Sequence, residues 1–185
     1  MSLINNTPAL SFKDGLLYGS ISAISSTDWT ELGISPRDIL YVSLPNCTSV
    51  SMATFRTCND LTSVSLPMCE NLGAGAFQSC WSLDSIYLPV VSIISSFCFN
   101  DCWSLTQVSL PVCSIIGDLA FYGCYSLSII TIGYSGVCSL LYDAFNGTPI
   151  GDGTGSIYVP ASLVDVYKSA ENWSMYSSQI FTIPS

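Results

Sequence analysis

Histidine is absent from this 185-residue chain. Its absence removes Ser-His-Asp and Cys-His mechanisms and any imidazole metal ligand. Bases are nearly absent as well: Lys13, Arg37, Arg56 and Lys168 stand against 13 acids, for a net charge of −9. A nucleic-acid or anionic-membrane partner needs clustered Lys and Arg, so neither is expected. No uninterrupted apolar run reaches the roughly 18 residues of a membrane-spanning helix, so no membrane insertion is expected. Residues 1–12 have neither the basic segment nor the apolar stretch of a secretory signal, and no signal peptide is expected. No cysteine pair is spaced C-x-x-C, which argues against zinc, and no cofactor is expected.

What is present is apolar and periodic. Hydrophobic residues make up 49% of the chain and charged residues 9%, which points to a folded core rather than disorder. Segments 39–60, 61–82, 83–104 and 105–126 repeat one pattern with a period of 22, and 127–149 is a fifth, stretched copy. A fixed period of this size marks a solenoid, whose regular surfaces suit binding or display.

Within each copy, Leu61, Val64 and Leu66 recur as Leu83, Ile86 and Leu88 and as Leu105, Val108 and Leu110. This is a short strand with small polar residues between its apolar ones. Pro45, Pro67, Pro89 and Pro111 stop each strand, because proline cannot donate to a ladder. Val50, Leu72, Ile94 and Ile116 mark a second extended step, on another face. Phe55, Phe77, Phe99 and Phe121 follow, and the A-F-x-x-C stretch reads as one tight helical turn that fills the interior with a ring.

Nine cysteines fall mostly on two rungs: Cys58, Cys80, Cys102 and Cys124, and Cys47, Cys69 and Cys113, where Val91 takes the fourth place. Stacked strands lie ~4.8 Å apart, within disulfide range, but in-register side chains point the same way rather than at each other. Buried free thiols are the favoured reading, with one or more bridges as the alternative.

These rungs together, LxxVxLPxxxxxIxxxAFxxCxxL over 39–149, resemble the BspA-like, type-5 leucine-rich repeat, in which A-F-x-x-C after L-P is a specific element. The resemblance implies a right-handed, β-rich leucine-rich-repeat solenoid with a parallel sheet on its concave face and short helical turns. It also implies a non-catalytic protein-interaction or adhesion module of a bacterial surface protein, at the cell surface or secreted. The alternatives are a structural component of a phage virion or surface assembly, and a carbohydrate-binding surface module. The fifth copy departs from the pattern: Gly133 stands at the proline position, Thr148 replaces the cysteine, and two residues are inserted.

Three parts are expected: a cap at 1–38, five repeats at 39–149 and a second cap at 150–185. In the first cap, Phe12–Leu17 reads as a hairpin with an Asp14-Gly15 turn, and Asp28-Trp29-Thr30-Glu31 as a capping box opening a short helix that stops at Gly33. Residues 151–155 read as a linker. In the second cap, Ile157–Val159 is a strand and Ser162–Ala170 an amphipathic helix with Leu163, Val166, Tyr167 and Ala170 on one face. Gln179–Ile183 is a last strand, and 157–183 resembles the module that closes such arrays.

No catalytic residue set emerges. The acids are scattered over different repeat positions, and the cysteines lack neighbouring bases that would make thiolates. One rung varies in an informative way. The residue after each ladder cysteine is Asn59, Trp81, Trp103 and Tyr125. Two readings stand: an aromatic stack supporting neighbouring coils, or an aromatic strip that meets a partner. On the second reading the candidate binding residues are Trp81, Trp103 and Tyr125, with Tyr41, Tyr87 and Gln107 on the hydroxyl-lined strand face. The expected partner is a protein or glycan ligand, or a second copy of the chain.

Overall fold

Asp14 and Gly15 both take positive φ, 50° and 81°, so the chain reverses in two residues as the sequence suggests. The computed structural model describes residues 10–184. The reversal joins strands β1 (Leu10–Lys13) and β2 (Leu16–Gly19); β3 (Ala23–Ile24) and helix α1 (Ser26–Thr30) follow. Each repeat then contributes two strands. The longer ones are β4 (Tyr41–Ser43), β6 (Ser63–Ser65), β8 (Ser85–Tyr87), β10 (Gln107–Leu110) and β12 (Ile129–Ile132). The shorter ones are β5 (Ser49–Val50), β7 (Asn71–Leu72), β9 (Ile93–Ile94), β11 (Ile115–Ile116) and β13 (Ser139–Leu140). The C-terminal part adds β14 (Ser156–Val159), α2 (Val164–Ser169) and β15 (Ile180–Thr182).

The long strands stack in parallel into a front face, in the orders β1-β2-β4-β6-β8 and β10-β12-β14-β15; β1 alone runs antiparallel. The short strands make a six-stranded back sheet, β3-β5-β7-β9-β11-β13. Both caps therefore extend the repeat: β2 and β3 supply a front and a back strand before the first copy, and β14 supplies a front strand after the fifth.

A third ladder joins the coils along the A-F-x-x-C turns. The chain forms no helix there, unlike the expectation. Two left-handed residues, four positions apart, interrupt each turn: Ala53 and Thr57, Gly75 and Ser79, Phe97 and Asp101, Leu119 and Gly123. Non-glycine residues in this region cost roughly 1–3 kcal/mol each. What holds them is inter-coil bonding of alternate N–H groups, which a helix would turn inward: Ala53, Phe55 and Thr57 donate to Ala74, Ala76 and Gln78 of the next coil. The same triplet repeats from Phe97, Phe99 and Asp101 to Asp118, Ala120 and Tyr122.

Inside, Phe55, Phe77, Phe99, Phe121 and Phe145 are fully buried in one stack, with successive centroids 5.3–5.8 Å apart. All nine cysteines are free and buried. The two rungs differ in what their thiols do. Cys80, Cys102 and Cys124 donate to the carbonyls of Phe55, Phe77 and Phe99 at 3.0–3.2 Å, so they pair a backbone group of the preceding coil. Cys47, Cys69 and Cys113 turn to a carbonyl two residues on.

The capping box opens three residues earlier than the sequence reading placed it. Ser25 is the cap in extended geometry, and its N–H donates to Asp28 Oδ2 at 2.6 Å. Gly33 does turn left-handed beyond the helix, at φ 74°. Residues 151–155 form a bonded turn, not a loose linker: Gly151 N–H donates to Thr148 Oγ1, and Thr154 and Gly155 N–H both donate to Pro149 O. The helix at Ser162–Ala170 begins as a 3-10 turn, Ala161–Leu163, before α2. Tyr167 is buried and Val164 packs on the core, while Val166 points to solvent at 46% exposure. Leaving Pro160 through that 3-10 turn rotates the helix, so Val164 replaces Val166 on the buried face.

Candidate recognition surface

The aromatic rung lies on the turns that lead into the front strands. Trp81 and Trp103 are each 41% exposed and Tyr125 is 63% exposed. The two indoles are parallel within 3° at a centroid distance of 4.7 Å; Tyr125 tilts by 39° against Trp103 at 6.2 Å. Backbone bonds from Ser82 N–H to Asn59 O and from Ser104 N–H to Trp81 O carry the row from coil to coil. Stacking covers the one face of each indole that is turned to the other, and Tyr125 tilts out of the stack.

On the front sheet, alternate residues point outward in two rows. One runs through Tyr41, Ser63 and Ser85, then Gln107, Ile129 and Ser156. The other runs through Tyr18, Ser43, Ser65 and Tyr87, then Ser109, Thr131, Tyr158 and Phe181. Tyr41, Tyr87 and Gln107 are thus all exposed on one face, Tyr41 and Tyr87 in different rows. Tyr18, Tyr158 and Phe181 share that face and were not singled out from the sequence. The signal is the alternation in LLYG and SIYV, but LLYG precedes the 22-residue repeats and SIYV follows Ile129–Ile132 by a step of 27, out of their period.

The face is split between β8 and β10. Leu44 N–H donates to Ser65 O and Leu66 N–H to Tyr87 O, yet among the described residues no such bond joins Leu88 to Ser109. A slot of about 240 Å³ opens there, lined by Asp84, Ser85, Ile86, Gln107, Ser109 and Thr131. Ile86 is half-buried as a result, where Val64 and Val108 are buried. The back sheet and the turn ladder continue past the split, so the coils stay joined.

All nine cysteines are buried, so none presents a thiol on this surface. Burial pushes the Cys58 thiol up to about 12, and burial, with smaller help from Cys47, does the same at Cys69. Among the described residues no group of three or more His, Cys, Asp or Glu converges as metal ligands, and no helix is long and apolar enough to cross a membrane.

Comparison with known proteins places this scaffold. The family model described as BspA type leucine rich repeat region matches residues 37–170 in six copies. The sixth copy agrees with β14 acting as a further front strand. A leucine-rich repeat protein from Bacteroides ovatus has a similar fold, with a TM-score of 0.55 and 22% identity over 80% of this chain. A leucine-rich cell surface protein from Faecalibacterium prausnitzii gives 0.59 and 22% over 88%. The pneumococcal vaccine antigen PcpA gives 0.53 and 18% over 96%. These matches cover 45%, 45% and 48% of the respective structures, so the chain spans about half of their length. No curated protein sequence matches. With its repeats matched over most of its length and its fold shared with these structures, the chain belongs to the BspA-type leucine-rich repeat family.

Proposed function

We propose that the chain is a non-catalytic recognition module working at a bacterial cell surface, and that it engages a partner protein through its front face. The observation that carries this reading is the juxtaposition of two elements across the same coils. One is a sheet face of outward hydroxyls and tyrosines; the other is the exposed row Trp81, Trp103 and Tyr125 on the adjoining turns. Trp and Tyr concentrate binding energy at protein interfaces, and hydroxyls supply adaptable hydrogen bonds at their margins. Membership of the repeat family and a structural relative described as a cell surface protein support the location.

A protein is favoured over a glycan at this row because of the stacking. Sugar recognition by aromatics uses a broad free ring face, whereas Trp81 and Trp103 each have one face covered by the other. Ring edges and the indole N–H groups suit backbone carbonyls and side chains of a protein.

The test is binding of the labelled chain to intact cells, read by flow cytometry, beside a variant carrying Trp81→Ala, Trp103→Ala and Tyr87→Ala. Loss of binding by a folded variant supports the reading. Equal binding by both sinks it. A stable oligomer of the unaltered chain in light scattering, dissolved by the same substitutions, would move the reading to self-assembly.

A further inference from the structure

The last repeat steps forward by 24 residues where the others step by 22, as the pairing of Ile115 with Ser139 against that of Ile93 with Ile115 records. The stretch brings two cysteines together out of step. In the regular coils the rung cysteine stands two residues before the back strand, as Cys47 before Ser49 and Cys113 before Ile115. Cys138 stands directly before Ser139. Cys113 is therefore level with Val137, and Cys138 lies one residue farther along.

The hydrogen bonds show how the chain turns there. Asn71 N–H donates to Thr48 O, and Ser139 N–H donates to Ser114 O, so both strands open in the same way. Glu70 N–H, just before Asn71, also donates to Thr48 O. Cys138 N–H, in the corresponding place, leaves the array for Tyr167 Oη at 2.8 Å, and Cys138 O accepts from Trp173 Nε1 at 2.6 Å. With both backbone groups turned to the cap, the Cys138 side chain turns back to the array and donates to the Cys113 sulfur. That bond holds the Cys113 thiol below its ordinary value in spite of burial. The other contact of the Cys138 thiol, with Ser139 O, is long at 3.7 Å.

Elsewhere the rungs are in register, and their side chains lie parallel, whereas a disulfide needs them to face each other. Cys102 and Cys124 also touch, but both thiols point the same way, each to the carbonyl of a phenylalanine in the coil before. Cys113 and Cys138 approach diagonally. Strands ~4.8 Å apart with one residue of offset along a ~3.3 Å rise put their Cα atoms about 6 Å apart. That lies inside the ~4.4–6.8 Å that a disulfide spans. Both residues are fully buried, so a bond closed between them is shielded from reductants.

We propose that Cys113 and Cys138 are a disulfide pair that fastens the C-terminal cap to the repeat array. The bond forms during folding, while the cap is undocked and a small disulfide such as glutathione disulfide reaches the thiols. Cys113, as thiolate, attacks one sulfur of that disulfide and expels one thiolate. Cys138, as thiolate, then attacks the Cys113 sulfur of the mixed disulfide and expels the second. The cysteines lose two electrons, the small disulfide gains them, and both protons end on its two thiols. The inference does not rest on the front-face reading.

The experiment is refolding of the reduced chain in a glutathione redox buffer, followed by alkylation, digestion and mass spectrometry. No Lys or Arg lies between residues 113 and 138, so chymotrypsin, which cuts at Tyr122 and Tyr125, takes the place of trypsin. A linked peptide joining Cys113 to Cys138 is expected, with the other seven of the nine cysteines alkylated. The oxidised chain should melt roughly 5–15 °C above the reduced one. Cys113→Val repeats the replacement that its rung already makes at Val91, so this variant should fold, and it should lose the gap. Cys69→Val, on the same rung away from the cap, should keep it. Alkylation of all nine cysteines, a dominant bridge at another pair such as Cys102 and Cys124, or equal melting of oxidised and reduced chain overturns the proposal. So does an undiminished gap in folded Cys113→Val. None of those outcomes bears on the front face, which this experiment does not probe.

Discussion

Trp81 and Trp103, 22 residues apart in the chain, stack within 3° of parallel at 4.7 Å. Trp103 also touches Tyr125, so the middle ring belongs to two pairs and the end ring to one. Offset aromatic pairs contribute ~0.5–1.5 kcal/mol beyond area burial. Trp103→Ala should therefore destabilise more than Trp81→Ala in urea melts, by about the worth of one pair. Equal losses would mean that the Tyr125 contact contributes nothing.

The phenylalanine stack should respond more strongly, because it is sealed from water. Phe99 is fully buried between Phe77 at 5.5 Å and Phe121 at 5.4 Å. Phe99→Ala removes two ring contacts and leaves a cavity in the middle of the array, for a cost of about 3–5 kcal/mol. Phe55→Ala, at the end of the stack with one ring neighbour, should cost less. Equilibrium unfolding of the two variants checks both the size and the order.

The rungs were legible because each recurs at the same position of every coil, and burial follows from that alone. Leu61, Val64, Phe77 and Cys80 sit inside as their spacing says. What the period hides is direction. The A-F-x-x-C stretch has helix-like composition, but its backbone alternates into left-handed geometry because N–H groups such as that of Phe97 bond to the next coil, a tertiary choice no local pattern encodes. Candidate residues on the repeat are legible for the same reason that Tyr18, Tyr158 and Phe181 are not. Tyr18 and Phe181 lie outside the repeats, and Tyr158 sits in a further copy displaced by 27 residues from Thr131 rather than 22, so none has a counterpart at the repeat spacing.

The two cysteine rungs look alike in sequence and should behave differently under mutation. The Cys102 thiol donates to Phe77 O, and at the end of that rung Thr148 also keeps a donor, bonding Phe145 O at 2.7 Å. The other rung accepts Val91 in its place, also fully buried. Phe77 O also accepts from Cys80 N–H at 3.3 Å, so Cys102→Val removes one of its two bonds and should cost about 0.5–1.5 kcal/mol. Cys69→Val, which repeats a replacement the chain already makes, should cost less. Thermal melts of the two variants decide it, and equal costs would reduce both rungs to simple packing.

Alkaline pH should destabilise the protein through these buried groups, whereas neutral pH should not. The ordinary thiol value of 9.0 rises to about 12 at Cys58 and Cys69 on folding, chiefly through burial. Tyr167 moves the same way, from 10.0 to about 12. A folded-state value above the unfolded one means that the folded chain holds its proton more tightly. The associated stability is complete below the unfolded values and is lost as pH climbs through the folded ones. Tm should be insensitive to thiol titration at neutral pH and fall progressively from about pH 9 to pH 12. A Tm flat across that alkaline range would contradict the burial of the protonated thiols.

The C-terminal cap closes the back sheet with side chains where a further strand would otherwise pair. β13 is the last strand of that sheet, and its outer backbone groups need partners. Tyr167 Oη accepts from Cys138 N–H at 2.8 Å and donates to Gly136 O at 3.3 Å; Trp173 Nε1 donates to Cys138 O at 2.6 Å and Asn172 Nδ2 to Leu140 O at 2.8 Å. Three side chains thus imitate a strand edge while presenting no new edge of their own. Tyr167→Phe keeps the buried ring but strands the Cys138 N–H, at a cost of about 1–3 kcal/mol. Hydrogen exchange distinguishes this from general loosening. The Cys138 amide should lose protection disproportionately, whereas the amides of Ile115 and Ile116, inside the same sheet, should slow or quicken only with global stability. Equal acceleration at all three would show that Tyr167 works by packing alone.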